Sequence, residues 1–174
     1  MSHKEFDKFV ESQHSRAITN SVGSQERLKQ WSVARQSFFD RVVKFLQSYV
    51  TAGKIEITFS DKSIVEDLLG EYVVQVATIR VGASLIRLLP IGANIIGAKG
   101  RIDMSGPNAV VRFILVPEEL VAPGTEMPAV RAGRAGQKNR ERLAWKIATS
   151  PPNVEFLPFN EETFFDALME VADG

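Results

Sequence analysis

The sequence predicts an α+β domain with two N-terminal helices, a mostly antiparallel β-sheet of five to seven strands and a C-terminal amphipathic helix. Three observations predict it. Apolar residues recur at helical spacing as far as residue 50; short β-branched runs follow from residue 54 to 116; and residues 160–172 return to the helical period. Strands that succeed one another without crossover helices pair antiparallel. A length of 174 residues suits one domain with an arm, and 44% hydrophobic with 24% charged residues is a globular composition.

The first helix starts from Ser2 and Glu5, which have the capping-box spacing, and continues through Phe6, Phe9 and Val10. The pattern fades near Asn20, Ser21 and Gly23, so residues 1–23 are expected to be a helical arm on a soft linker and residues 24–174 the domain. A second helix is expected from about residue 25 to 50. At about 100° per residue, Trp31, Ala34, Phe38, Phe39, Val42, Phe45, Leu46 and Tyr49 spread over half its circumference, with Gly53 placed to close it. An arc that wide calls for a second covering surface, either the arm or another protomer, which makes residues 31–50 a candidate homodimer contact. Arg35 interrupts the arc. Either its stem lies along apolar surface while the guanidinium reaches water, or it forms a buried pair with a carboxylate and selects a partner.

The middle tract reads as sheet. Residues 54–59 alternate, 72–81 are rich in β-branched residues with Val74, Val76, Thr78 and Arg80 on one side, and Gly82 with Ala83 permits a reversal into 84–89. Further strands are expected at 101–104 and 110–116, around a turn at Ser105, Gly106, Pro107 and Asn108. Residues 64–69 have the length of one helical turn, with no pattern that decides it. After Pro117 the pattern lapses into a long, mobile basic loop at 117–139. Leu143, Trp145 and Ile147 then alternate as a strand does, Pro151 and Pro152 stop it, and Asn160 is placed to cap the last helix.

The opening segment is charged, with no apolar leader, and no stretch approaches the roughly 20 apolar residues of a membrane span, so a soluble cytoplasmic protein without membrane contact is expected. There is no cysteine, and the two histidines, His3 and His14, lie at the start, which excludes thiolate metal sites, disulfides and histidine-based catalysis from the body. No cofactor motif is present. Gly92 to Lys99 approaches a phosphate-binding loop, but Ala98 stands where that loop needs lysine and no Ser or Thr follows to hold magnesium. Asp103 in a hairpin faintly suggests a metal-dependent nuclease strand, yet the following strand, VVRFILV, has no acid to share the metal.

Charge is segregated although the chain nets to zero. Residues 131–146 hold six bases (Arg131, Arg134, Lys138, Arg140, Arg142 and Lys146) and one acid, whereas residues 147–174 hold six acids and no base. On the last helix Glu162, Asp166, Glu170 and Asp173 gather on one side, opposite Phe164, Leu168 and Val171. Like charges four apart cost a helix about 0.2–0.5 kcal/mol per pair, so the stripe is either a solvated face that aids solubility or a docking face for a basic partner. The expected function is therefore non-catalytic: an interaction or regulatory protein, similar in size and charge to inhibitor or immunity proteins, that engages a protein through Glu162, Asp166, Glu170, Asp173 and Arg35. The alternative is a nucleic-acid-binding accessory protein using Arg131, Arg134, Lys138, Arg140 and Arg142.

Overall fold

A computed structural model describes residues 3–125 and 141–172. The chain runs from a long helix, α1 (His3–Thr51), into seven strands: β1 (Ile55–Glu66), β2 (Gly70–Val81), β3 (Ser84–Gly92), β4 (Gly100–Ser105), β5 (Val110–Pro117), β6 (Leu143–Ala148) and β7 (Phe156–Pro158). It closes with α2 (Glu161–Ala172). All strands pair antiparallel with their sequence neighbours, in the order β1 to β7. The predicted α+β class and antiparallel sheet hold, at seven strands.

The N-terminal prediction is corrected. One helix of 49 residues replaces two, passing through Asn20, Ser21 and Gly23 without a break. A glycine inside a helix costs roughly 1 kcal/mol relative to alanine, which weakens a helix but does not stop one when no proline or left-handed cap interrupts the backbone. At about 1.5 Å per residue α1 is about 73 Å long. Its first buried residue is Trp31, and the preceding turns are almost wholly exposed.

The main core cluster lies on one face of the sheet, while Ile114 and Val116 of β5 are buried on the other. Alternation along the strands turns Ala77, Ile79, Ile86, Leu88, Ile102, Met104, Phe113, Leu115, Trp145 and Ile147 towards Trp31, Phe38, Phe39, Val42 and Leu46 of α1. Phe38 is at its centre, 5.0 Å from both Phe113 and Trp145 and 4.9 Å from Phe159 between ring centroids. The second surface that the wide apolar arc requires comes from within the chain. Phe159 and Phe164 cover Phe45, and Phe165 meets Tyr49.

The tip of the β1–β2 hairpin behaves differently from its base. β2 pairs with β3 only from Ala77 to Val81, and past that point the buried positions switch from Ala77 and Ile79 to Val74 and Val76. The far half of the hairpin therefore turns its other face to the body, bringing Tyr72 against α1. Residues 64–69 are strand end and turn, with Leu68 in the left-handed conformation at φ 70°.

Both ends of α2 are tied down. The Thr163 amide donates to Asn160 Oδ1 at 3.0 Å and the Asn160 amide to Thr163 Oγ1 at 3.1 Å, a reciprocal cap. At the other end the Ser84 hydroxyl donates to the Ala172 carbonyl and the Asn108 amide to that of Val171. β7 is not legible in the sequence because Pro151 and Pro152 stand just before it and Pro158 is its last residue; as a three-residue edge strand it tolerates them.

Candidate interaction surfaces

Arg35 sits where α1, the hairpin tip and the turn after β3 meet. Its guanidinium carbon lies 5.4 Å from the Trp31 ring centre and 5.8 Å from that of Tyr72. It makes no ion pair among the described residues, so the partner that desolvates it is aromatic, not a carboxylate. Burial lowers its pKa from the usual guanidinium value. Glu66, which meets Tyr72 from the hairpin, accepts the Tyr72 hydroxyl and the amides of Ala93 and Asn94 at 2.9 and 2.7 Å. Burial first, and then the hydrogen bond to Glu66, raise the Tyr72 pKa well above the ordinary tyrosine value.

The same arrangement explains the glycine run that resembles a phosphate loop. A side chain at Gly92 would meet the Glu66 carboxylate at 2.6 Å, and the two amides just after it already donate to that carboxylate. The turn binds an anion, and the anion is the chain's own Glu66. Arg27 adds a clasp from α1 to the Ala93 carbonyl and the Asn94 side chain, at 3.4 Å each. Two donors in this cluster, Trp31 Nε1 and Arg35 Nε, are buried without a hydrogen-bond partner.

On α2, Phe164, Ala167, Leu168 and Val171 are buried, while Glu162, Asp166 and Glu170 are exposed. None of the three makes a salt bridge among the described residues. The helix thus holds the three carboxylates on a firmly packed scaffold; Asp173 lies outside the described residues. Arg35 is not part of this face. It belongs to the other end of the helix–sheet interface, beside Trp31 and Tyr72, so Arg35 does not share a surface with Glu162, Asp166 and Glu170.

The exposed half of α1 is the other prominent surface. Phe6, Phe9 and Val10 are 60%, 57% and 47% exposed, and the Phe6 and Phe9 rings lie 6.5 Å apart. At about 100° per residue they continue the stripe that buries Trp31, Phe38 and Val42 further along. The two apolar patches share one side of the helix, with Gln13, Asn20, Ser24 and Arg27 between them, and the sheet covers only the C-terminal one.

No known protein family, curated protein or solved structure matches the chain. Its surfaces are therefore read from their own chemistry. Among the described residues no helix is long and apolar enough to cross a membrane, and no group of three or more His, Cys, Asp or Glu is placed to hold a metal ion.

Of the basic segment, Arg131, Arg134, Lys138 and Arg140 lie outside the described residues, and Arg142 is exposed. The start of the loop is held: Lys146 Nζ donates to the Glu118 and Leu120 carbonyls at 2.6 Å each, and the Phe156 amide donates to that of Val121. A second basic group went unread in the sequence. Arg80, Arg87, Arg101 and Arg112 are scattered over four strands, and only the strand register brings them onto one face.

Proposed function

We propose that the protein is a non-catalytic interaction module that binds a protein partner. The exposed half of α1 is the observation that supports this most strongly. In proteins most of a helix's stability comes from packing of its apolar face, and this half of α1 has no such packing among the described residues. Phe6, Phe9 and Val10 follow the i, i+3, i+4 spacing of helices that dock into grooves. The acidic face of α2, at Glu162, Asp166 and Glu170, is a second contact that favours a basic partner, and it is held by a packed element.

The test compares binding partners captured by the wild-type chain, by Phe6→Asp/Phe9→Asp and by Asp166→Lys/Glu170→Lys. The arm variant is expected to lose the principal partner while its thermal unfolding stays unchanged, and the α2 variant to lose salt-sensitive binding. An identical set of partners across all three proteins would remove the basis for the reading.

A further inference from the structure

We propose that the outer face of the sheet, turned away from both helices, binds the phosphodiester backbone of duplex nucleic acid. Side-chain alternation puts Arg80, Arg87, Arg101, Arg112 and Lys146 on this face, since Ile79, Ile86, Ile102, Phe113 and Trp145 beside them point into the core. Asp103 is the single acid that strands β2 to β6 contribute there, and Glu56 of β1 adds another. In a chain with no net charge, this face is strongly biased.

The register gives the spacing. Arg80 stands opposite Leu85 and Arg87 opposite Thr78, so Arg80 and Arg87 are diagonal neighbours with backbones about 7–8 Å apart. Arg112 stands opposite Asp103 and is the diagonal neighbour of Arg101, which faces Ile114. From Arg87 to Arg112 is two strands and two residues, about 12 Å. The bases therefore form an oblique band across the sheet.

Some of these charges are already satisfied. Arg101 forms a fork on Asp103 with two bonds of 2.6 Å, which raises its pKa through that hydrogen bonding, and Arg80 is 3.5 Å from Glu56. Lys146 holds the two loop carbonyls. Arg87 and Arg112 are exposed and have neither a hydrogen bond nor an ion pair among the described residues. The guanidinium fork matches phosphate oxygens bidentately. Thr78 and Ser105, on the row of Arg87, add hydroxyl donors. The one aromatic residue of β2 to β6 in phase with this face, Tyr72, is engaged by Arg35 of α1 and by Glu66, so unpaired bases would find nothing free to stack on and a duplex backbone suits the face better than a single strand. This surface is separate from the arm and from α2, so its binding stands or fails independently of the protein partner.

Fluorescence anisotropy with a labelled mixed-sequence DNA duplex of about 20 base pairs, titrated with the full chain over a range of salt, tests this. Two freed arginines predict a plot of log K against log salt with a slope of about −2. Arg87→Ala and Arg112→Ala are each expected to weaken binding equally on two unrelated sequences and to flatten the slope by about 1. Both side chains are exposed, and matching thermal unfolding curves establish that the variants fold. Absence of binding at low salt overturns the proposal, as does a double variant that binds like the wild type. Should the combined Arg131→Ala, Arg134→Ala, Arg140→Ala and Arg142→Ala variant abolish binding that the double variant retains, the basic loop and not the sheet holds the duplex. Binding to polyglutamate without binding to the duplex would assign the face to an acidic protein instead.

Discussion

At the residue scale, Arg35 has a consequence for stability. A charge inside an apolar arc is costly to strand, but this one lies between two rings and has no carboxylate to leave behind. Arg35→Met keeps the stem packing and removes a buried Nε that has no partner, so it is expected to change unfolding free energy by less than about 1 kcal/mol. Arg35→Ala loses the packing and is expected to cost more; chemical denaturation of both variants measures the difference. Tyr72 makes a pH prediction. A tyrosine is neutral when protonated, and its raised pKa means the folded state keeps the proton longer than the unfolded chain does. The resulting stability is present below the unfolded value of about 10 and is lost as pH rises beyond it. Wild-type stability should therefore fall between neutral pH and pH values above about 10 more steeply than that of Tyr72→Phe, as urea midpoints at several pH values would show.

At the scale of elements, the glycines separate what is packed from what is not. A side chain at Gly100 would lie 2.3 Å from the Trp31 ring, and one at Gly106 would lie 2.2 Å from the Val171 carbonyl; at Gly23 it would meet nothing within 4 Å. Gly100→Ala and Gly106→Ala are expected to destabilise the fold by about 1–3 kcal/mol, read from thermal unfolding. Gly23→Ala should instead strengthen the arm by about 0.5–1 kcal/mol, seen as slower amide exchange around residue 23 with little change in the global transition. The same contrast shows how much was legible. Asn160 as a cap, the strands with clear alternation and the covered face of α2 follow from local rules, and they are where the structure has them. The unbroken α1 was not legible, because Asn20, Ser21 and Gly23 weaken a helix without deciding whether neighbouring turns carry it through. Nor was the clasp at Glu66, whose partners lie 27 and 28 residues away, nor the band of arginines, whose grouping depends on three strand registers that alternation alone leaves open.

At the scale of the whole molecule, the sheet divides two kinds of surface. One side carries α1 and the acidic face of α2, the other the arginine band, and a neutral net charge conceals the difference. The folded body begins, in packing terms, at Trp31. A chain shortened to residues 24–174 is therefore expected to retain the wild-type melting temperature within a few degrees, because a change of about 1 kcal/mol moves a domain of this size by only about 2–4 °C. A much larger fall in a calorimetric scan would mean that the arm stabilises the body.

The continuity of α1 also fixes a distance. Because Phe6 and Trp31 belong to one uninterrupted helix, whatever seats itself on the exposed phenylalanines is held about 38 Å along the helix from Trp31, at an azimuth set by the helical repeat. The helix thus works as a ruler with its zero mark fixed in the core. Inserting three or four residues near position 20 would lengthen it by about 5 Å and leave the bearing nearly unchanged, whereas inserting two would swing the phenylalanines to the far side.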